Sequence, residues 1–273
     1  MITEGTTRGS NLFHSFRQFS LPNEDFAGFI TTPAIQNVIV RVTGVGSPFI
    51  SNINGTIATS NPANFFLLNP NGIVFGPGAT LNIGGSFLAT TANAIQFGNQ
   101  GFYSATNPEA PPLLTVNPSA LWFNQAASGA IAVQSATSPG PNLQVPNGRS
   151  LVLVGGDISV NGGRLSAPGG QVELLSITDP GTVALNNDGT SLSLNAPVDM
   201  ARSDIRFENG AGVDVRADGG GSITLDGRNI EVLGGSFLFA GIALVWGRWA
   251  VKRGILRSGQ PGQSRSAAVR SNL

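Results

Sequence analysis

The sequence predicts an all-β protein, a parallel β-helix, on three observations. Glycine falls on every seventh residue between residues 155 and 169, and again between residues 220 and 241. The third and fifth residues after each of these glycines are apolar, as Ile223 and Leu225 are after Gly220. Alternation of apolar residues with other types is the period of a β-strand. Because glycine accepts the left-handed backbone of a tight corner, the pattern predicts short strands separated by corners.

The fixed spacing predicts a coil rather than a series of hairpins. Hairpins also alternate, but their turns are usually Asn-Gly or Asp-Gly pairs at less regular spacing. Three seven-residue sides give a triangular coil of about 21 residues, stacked about 4.8 Å above the previous one with an apolar face turned inward. We also expect a left-handed corner at Gly227, so that Gly227→Val would cost at least about 1–2 kcal/mol.

Residues 1–40 are predicted to form N-terminal capping strands. This segment is rich in phenylalanine, and aromatic and β-branched residues surround Pro22 and Pro33 without a helical cap, which favours strands over a helix. The open end of a solenoid exposes unpaired strand edges and an apolar cross-section. We therefore expect residues 1–40 to cover that end.

Residues 41–241 are predicted to form the coil itself, with two loop extrusions. Proline clusters at residues 99–119 and 135–148 interrupt the strand pattern and predict loops that leave the coil. The glycine spacing resumes after Leu151 and is expected to continue, more loosely through residues 178–218, to Gly241.

Residues 242–273 are predicted to be a basic tail outside the register of the coil. Leu244 and Trp246 occupy the next two inward positions, but Arg248 stands where the next glycine is expected. Residues 1–247 have a net charge of −6, and residues 248–273 have one of +6. We interpret the tail as a frameshifted end of the reading frame; a basic arm for an anionic surface and an ordinary disordered tail are the alternatives.

Composition and charge exclude several other classes of protein. The chain has no cysteine, so no disulfide or thiolate chemistry is available. No signal peptide is recognisable at the start, and the longest apolar run, at residues 242–246, is far shorter than a membrane span of about 20 residues. The acidic coil would repel phosphate, so no nucleic-acid partner is expected.

Catalytic and cofactor sites are not predicted. His14 is the only histidine, and Asp157 and Glu173 stand at different positions relative to their corner glycines, so paired carboxylates are not stacked. The aspartate of calcium-binding nonapeptide repeats does not recur. We therefore predict a protein that is not an enzyme and that binds no metal or cofactor.

The most specific local motif is Asn-Pro-Asn-Gly-Ile between two apolar strands. Proline fixes φ at the first corner position of a turn, and Asn-Gly accepts the left-handed conformation at its exit. A structural role is sufficient to account for these five residues on physical grounds. They are the candidate site: Asn69, Pro70, Asn71, Gly72 and Ile73.

This motif resembles the NPNG signature of the secretion domain of two-partner secretion exoproteins, the filamentous haemagglutinin-like adhesins. Further similar segments are residues 11–16 (NLFHSF), 65–76 (FFLLNPNGIVFG) and 85–91 (GSFLATT). Residues 162–174 (GGRLSAPGGQVEL) resemble the cyanobacterial branch. The resemblance covers roughly residues 8–240. The second family signature, NPNL, is absent, as are the Sec signal and the first strands of other members.

The resemblance implies a right-handed parallel β-helix that forms the N-terminal secretion domain of a long exoprotein. It also implies recognition by an outer-membrane transporter through its periplasmic polypeptide-transport-associated domains, with residues 69–73 important for secretion. The product would be secreted or held at the cell surface, and this chain is interpreted as a truncated fragment, expected to be a monomer. The alternative is a self-standing surface solenoid that binds host or cell-surface glycans.

Overall fold

A computed structural model of the protein describes residues 1–124, 129–134 and 143–242, together with the backbone of residues 265–270. Apart from one 3₁₀ turn at Ser47–Phe49, the regular structure of these residues is β-strand. Three sides of a coil account for most of the strands. A fourth group of strands forms a separate antiparallel sheet.

The first side of the coil, here called the long sheet, has nine strands. In spatial order they are β1 (Thr6–Arg8), β2 (Asn11–Phe16), β4 (Asn37–Val42), β7 (Asn64–Leu68), β10 (Phe87–Thr90), β16 (Ser150–Gly155), β19 (Gln171–Ser176), β24 (Ser222–Gly227) and β27 (Arg265–Arg270). All neighbours from β2 to β24 pair in parallel, and the two outermost strands pair antiparallel.

Shorter strands form the other two sides. The second side contains β5 (Ser51–Ile53), β8 (Ile73–Phe75), β14 (Ile131–Val133), β17 (Ile158–Asn161), β22 (Ile205–Glu208) and β25 (Ile230–Val232). The third side contains β3 (Phe26–Phe29), β6 (Thr56–Thr59) and β9 (Thr80–Asn82), followed by β15 (Leu143–Gln144), β18 (Arg164–Ser166), β23 (Gly212–Asp214) and β26 (Phe237–Phe239). Each of these groups pairs in parallel.

The coil predicted from the glycine spacing is confirmed in its most regular part. From β16 the chain passes through β17 and β18 to β19, where Leu151 lies beside Val172 of the next coil. The offset between these two partners equals three seven-residue sides, as the spacing predicts. The alternating apolar residues of these strands point into one continuous core. The parallel β-helix is thus the architecture of this chain.

The N-terminal segment differs from the predicted division at residue 40. Within it, β2 pairs in parallel with β4, and β3 pairs in parallel with β6, so the stacking of coils begins at Asn11. The antiparallel strand β1 covers the outer edge of β2. The phenylalanines of residues 1–40 are mostly part of the coil interior, which is why this segment has the composition of a core.

The remaining five strands form an antiparallel sheet, here called the flanking sheet. In spatial order they are β12 (Phe102–Ser104), β11 (Ala94–Gln96), β13 (Ala120–Phe123), β20 (Gly181–Asn187) and β21 (Leu192–Asn195). The extrusion expected at residues 99–119 therefore includes β12. Residues 178–218 do not simply continue the coil, because β20 and β21 form a hairpin in this sheet.

A second apolar core lies between the long sheet and the flanking sheet. Side chains such as Phe66 and Val152 on the outer face of the long sheet pack with Tyr103, Leu121 and Val183 of the flanking sheet. Strands buried on both faces are apolar at nearly every position rather than at alternate ones. This explains the continuous apolar runs of β4, β7 and β16, which contrast with the alternating pattern of β24.

The other predicted peripheral segments fall partly outside the described residues. Of the extrusion near 135–148, residues 135–142 lie outside them, whereas β15 at its end stacks in parallel on β18. Most of the tail 242–273 also lies outside them. Within it, β27 pairs antiparallel with β24, a strand that the sequence did not predict.

A column of polar side chains crosses the coils at the start of the long-sheet strands. The Asn37 side-chain amide donates to Asn11 Oδ1 (2.8 Å), and the Asn64 amide donates to Asn37 Oδ1 (3.1 Å). Asn64 Oδ1 in turn accepts from the backbone N–H of Ser86 (2.8 Å), and Ser86 Oγ accepts from the N–H of Ser150 (2.9 Å). These hydrogen bonds fix the register of five successive strands.

The same polar column also attaches the flanking sheet. Asn11 Nδ2 donates to the carbonyl oxygens of Leu114 (2.9 Å) and Val116 (2.8 Å). Ser150 Oγ accepts from the N–H of Leu192 (2.9 Å). Since the loop before β13 and the first residue of β21 are both held, the flanking sheet is joined to the coil by hydrogen bonds as well as by apolar contact.

Buried Arg41 makes a further attachment. Its guanidinium lies 4.1 Å from the centre of the Tyr103 ring and donates to the carbonyl oxygens of Ser104 (2.8 Å) and Glu109 (2.6 Å). Tyr103 itself donates through its hydroxyl to the carbonyl of His14 (2.9 Å). A buried cation requires such compensation by oxygen acceptors and an aromatic face.

The corner glycines serve two different purposes. Five of the seven have positive φ, as expected for left-handed corners: Gly162, Gly169, Gly220, Gly234 and Gly241. Gly155 and Gly227 do not, because they are the last residues of extended strands. The prediction of a left-handed Gly227 was therefore wrong. A Cβ on Gly227 would lie 3.0 Å from both Ile205 Cγ1 and Ser176 Oγ, so close packing is what requires glycine there.

Gly227→Val should still destabilise the protein, by roughly 1–3 kcal/mol, but through crowding against Ile205. A double-mutant cycle of chemical unfolding with Ile205→Ala should give a favourable coupling energy of at least about 0.5 kcal/mol. Gly234→Val is the control, because Gly234 has φ +59 and a Cβ there would approach Asn209 rather than Ile205. Strict additivity of Gly227→Val and Ile205→Ala would show that crowding against Ile205 is not the cause.

The Glu173 carboxyl lies where the flanking sheet ends over the long sheet. Its Oε2 accepts a hydrogen bond from the N–H of Leu194 (3.1 Å). Burial raises the pKa of this carboxyl to about 7, and the nearby Asp226 charge adds to the effect. A carboxyl whose pKa is raised on folding stabilises the folded state at low pH, and this stability is lost as the pH rises through the folded-state pKa.

Glu173→Gln should remove this pH dependence. The free energy of unfolding of the parent, relative to that of Glu173→Gln, should fall by roughly 2 kcal/mol between pH 4.5 and 7.5. The comparison is necessary because burial lowers the pKa of His14 to about 4, which makes stability rise with pH over an overlapping range. A pH-independent difference between the two unfolding curves would contradict the raised pKa.

Candidate functional site

The five candidate residues form the corner between β7 of the long sheet and β8 of the second side. The N–H of Gly72 donates to the carbonyl of Asn69 (3.2 Å), which closes a four-residue turn. Gly72 has φ +125, a conformation that favours glycine. The turn predicted from the sequence is therefore present, and Ile73 begins β8 with its side chain fully buried in the coil.

Asn69 is fully buried and uses both ends of its side-chain amide. Its Nδ2 donates to the carbonyl of Phe49 (2.8 Å) and to Ser51 Oγ (2.9 Å), both in the preceding coil. Its Oδ1 accepts from the backbone N–H (3.0 Å) and from Nδ2 (2.8 Å) of Asn71. Asn69 thus joins the turn to the coil below it while shaping the turn itself.

Asn71 makes a second set of contacts to the preceding coil. Its Nδ2 donates to the carbonyl of Gly44 (2.8 Å), and its Oδ1 accepts from the N–H of Gly46 (2.7 Å). The two amides therefore hold residues 43–50, which include the 3₁₀ turn. We call this segment the pre-turn loop.

The following coil packs on the other side of the turn. The N–H of Ile73 donates to the carbonyl of Ala130 (3.0 Å). A Cβ on Gly129 would lie only 2.6 Å from the backbone nitrogen of Gly72, so the two chain segments meet backbone to backbone. The motif is consequently enclosed between two coils, and Pro70 and Asn71 are its only partly exposed residues.

The pre-turn loop is the main exposed surface next to the motif. Val45 is 84% exposed, and residues 46–48 are exposed as well. The Arg17 guanidinium lies 5.4 Å from the centre of the Phe49 ring at the edge of the loop. The site therefore combines a buried pair of amides with an outward loop that they hold in place.

The polar residues considered for catalysis lie apart. His14 is buried against Phe29, and its Nε2 has no hydrogen-bond partner among the described residues. Asp157 accepts hydrogen bonds from Ser203 and Asp204, whereas Glu173 faces the flanking sheet. Within the described ranges, no three His, Cys, Asp or Glu residues come together in a way that could hold a metal ion.

In the described ranges, no helix has the length and apolar character that a bilayer span requires.

Comparisons with known proteins agree with this architecture. A family model described as the TPS secretion domain matches residues 1–225. The crystal structure of the HMW1 secretion domain from Haemophilus influenzae is similar in fold, with a TM-score of 0.54 and 19% sequence identity over 88% of this chain. The similar region spans 64% of that chain. No curated protein sequence matches.

Because the family model spans most of its length, the chain belongs to the TPS secretion domain family. It is thus a secretion domain of the two-partner secretion type, as the resemblance in residues 65–76 implied.

Sequence reasoning missed the residues that the motif contacts. Gly44, Gly46, Phe49 and Ser51 precede it by about one coil, and Gly129 follows it only after the flanking-sheet strands. An offset of one coil, applied backwards from Asn69, would have indicated the first four. No spacing in the sequence indicates Gly129, because the intervening extrusion has no fixed length.

Asn69→Ala should lower the free energy of unfolding by about 2–4 kcal/mol, since it leaves several buried groups without partners. Asn71→Ala should cost about 1–2 kcal/mol and should selectively speed amide hydrogen exchange at Gly46, whose acceptor is lost. Asn52→Ala is the matched control, because the Asn52 side chain is exposed in the neighbouring strand β5. Unchanged exchange at Gly46 in Asn71→Ala would contradict the holding role.

Proposed function

We propose that an outer-membrane two-partner secretion transporter recognises this chain through its polypeptide-transport-associated domains. The observation that carries the proposal is the family match over residues 1–225, which defines a secretion domain. The similarity in fold to the HMW1 secretion domain supports the same role. The whole exoprotein is then secreted or retained at the cell surface, with adhesion as its proposed activity.

We further propose that residues 69–73 act in recognition by positioning, not by touching the transporter. Both amides of the motif are engaged in hydrogen bonds to the protein's own backbone or side chains. Breaking these bonds for a partner would lose stability without a net gain. The exposed pre-turn loop, which the amides hold, is the surface that remains available for contact.

We also propose that the chain has no catalytic activity and acts as a monomer. The family is one of secretion domains, and the carboxylates near the coil corners are held by neighbouring groups, as Asp204 is by the Arg228 guanidinium (3.0 Å). Hydrogen bonds from Arg228 lower the pKa of Asp204, so this carboxylate is stabilised in its charged form.

Export measurements test the positioning role. The chain, preceded by a signal peptide and produced with its cognate transporter, should lose at least about fivefold in export when Val45 is changed to Asp. Stability should not change, because Val45 is 84% exposed. Val198→Asp is the matched control, since Val198 is 88% exposed and distant in sequence. Asn71→Ala should reduce export together with hydrogen-exchange protection at Gly46.

Two outcomes would contradict parts of the proposal. Export of Val45→Asp at the parental level would show that the pre-turn loop is not the contact surface. Parental export of the Asn69→Ala, Asn71→Ala double variant would show that the motif is not required at all.

A further inference from the structure

The flanking sheet presents an outer face that the proposed contact surface, the pre-turn loop, does not include. Its strands alternate between residues that enter the second core, such as Leu121 and Val183, and residues that point away from it. We call the latter set the outer face. It consists of Ala94, Gln96, Phe102, Ser104, Ala120, Trp122, Thr182, Ala184, Asn186, Ser193 and Asn195, of which Ala94 and Ala120 are buried beneath their neighbours.

Two aromatic rings stand on this face. Phe102 is 47% exposed and Trp122 is 37% exposed, and their ring centres lie 5.8 Å apart with the planes tilted by 49°. Among the described aromatic pairs, this is the one in which both rings are exposed. Each ring belongs to a strand of a sheet with buried support beneath it, so the pair is held rigidly.

Polar side chains lie on the same face. The side chains of Thr182, Asn186, Ser193 and Asn195 make no hydrogen bond to the described part of the chain. The last three residues also line a depression of about 250 Å³ between β20 and β21, together with Ala184, Leu185 and Leu194. Exposed amides and hydroxyls can both donate and accept, which suits a ligand that carries many hydroxyl groups.

The outer face has no ionisable side chain at any of its positions. Sulfated or carboxylated polymers are usually bound by arginine and lysine, which are missing here. Protein interfaces are also rich in arginine, and they bury about 800 Å² per partner around an apolar centre. A few aromatic residues among neutral amides and small alanines fit a thin, uncharged ligand better.

We propose that the outer face of the flanking sheet binds neutral glycan chains. The C–H face of a pyranose ring packs against Trp122 and Phe102, and sugar hydroxyls hydrogen-bond to Asn186, Asn195 and Thr182. This activity is separate from transporter recognition, because the outer face belongs to the flanking sheet whereas the pre-turn loop connects β4 of the long sheet to β5 of the second side. The chain then has one surface for export and another for attachment.

Calorimetric titration of the full chain with cellohexaose, maltohexaose and mannohexaose tests this proposal, with heparin as the charged comparison. At least one neutral hexasaccharide should bind with a millimolar or lower Kd. Trp122→Ala should weaken that binding at least about tenfold, and Phe102→Ala and Asn195→Ala at least about threefold. Phe26→Ala is the matched control, because Phe26 is a 51% exposed phenylalanine on the third side of the coil.

Circular dichroism should show that the exposed substitutions leave the fold unchanged. Absence of binding by all three hexasaccharides, equal binding by Trp122→Ala, or tighter, salt-dependent binding of heparin would each overturn the proposal. Self-association that is abolished by Trp122→Ala would overturn it too, since the face would then be an interface between copies. None of these measurements involves a transporter, so their outcome is independent of the export experiments.

Discussion

The central strands of the long sheet are buried on both faces, and the rest of the architecture depends on this constraint. One face lines the coil and the other lies under the flanking sheet. Because both faces of this sheet are covered, polar groups at the ends of its strands are shielded from water. They therefore need hydrogen-bond partners inside the protein. The polar column and Arg41 supply these partners, and each of them connects the coil to the flanking sheet.

The candidate site follows the same rule at the other end of the strands. Where β7 leaves the long sheet, its backbone must turn between two neighbouring coils, and Asn69 and Asn71 satisfy the polar groups that would otherwise be buried without partners. Their amides connect coils rather than facing outward. This arrangement gives the turn sequence a clear physical role. It leaves the pre-turn loop, which the amides hold, as the proposed contact surface.

The coil could be predicted wherever glycine spacing and inward apolar positions agree, as they do from β16 to β19. The flanking hairpin of β20 and β21 could not be predicted. Residues such as Val183 and Leu185 alternate with the same period whether the neighbouring strand is parallel or antiparallel, so the pattern does not distinguish the two arrangements. Gly227 shows a similar limit. Its place in the repeat was visible, but whether φ or crowding requires glycine depends on Ile205, which belongs to another side of the coil.

The spacing between paired strands has a consequence for the order in which the structure can form. Strand β2 pairs with β4, β4 with β7, and β7 with β10, and each partner follows about one coil later in the sequence. The next step, from Phe87 to Leu151, is more than twice as long, because strands of the flanking sheet intervene. Loop-closure entropy favours the shorter separations. A chain that emerges N-terminus first can therefore complete its first coils, including the Asn69 corner, and use them as a template for the remainder.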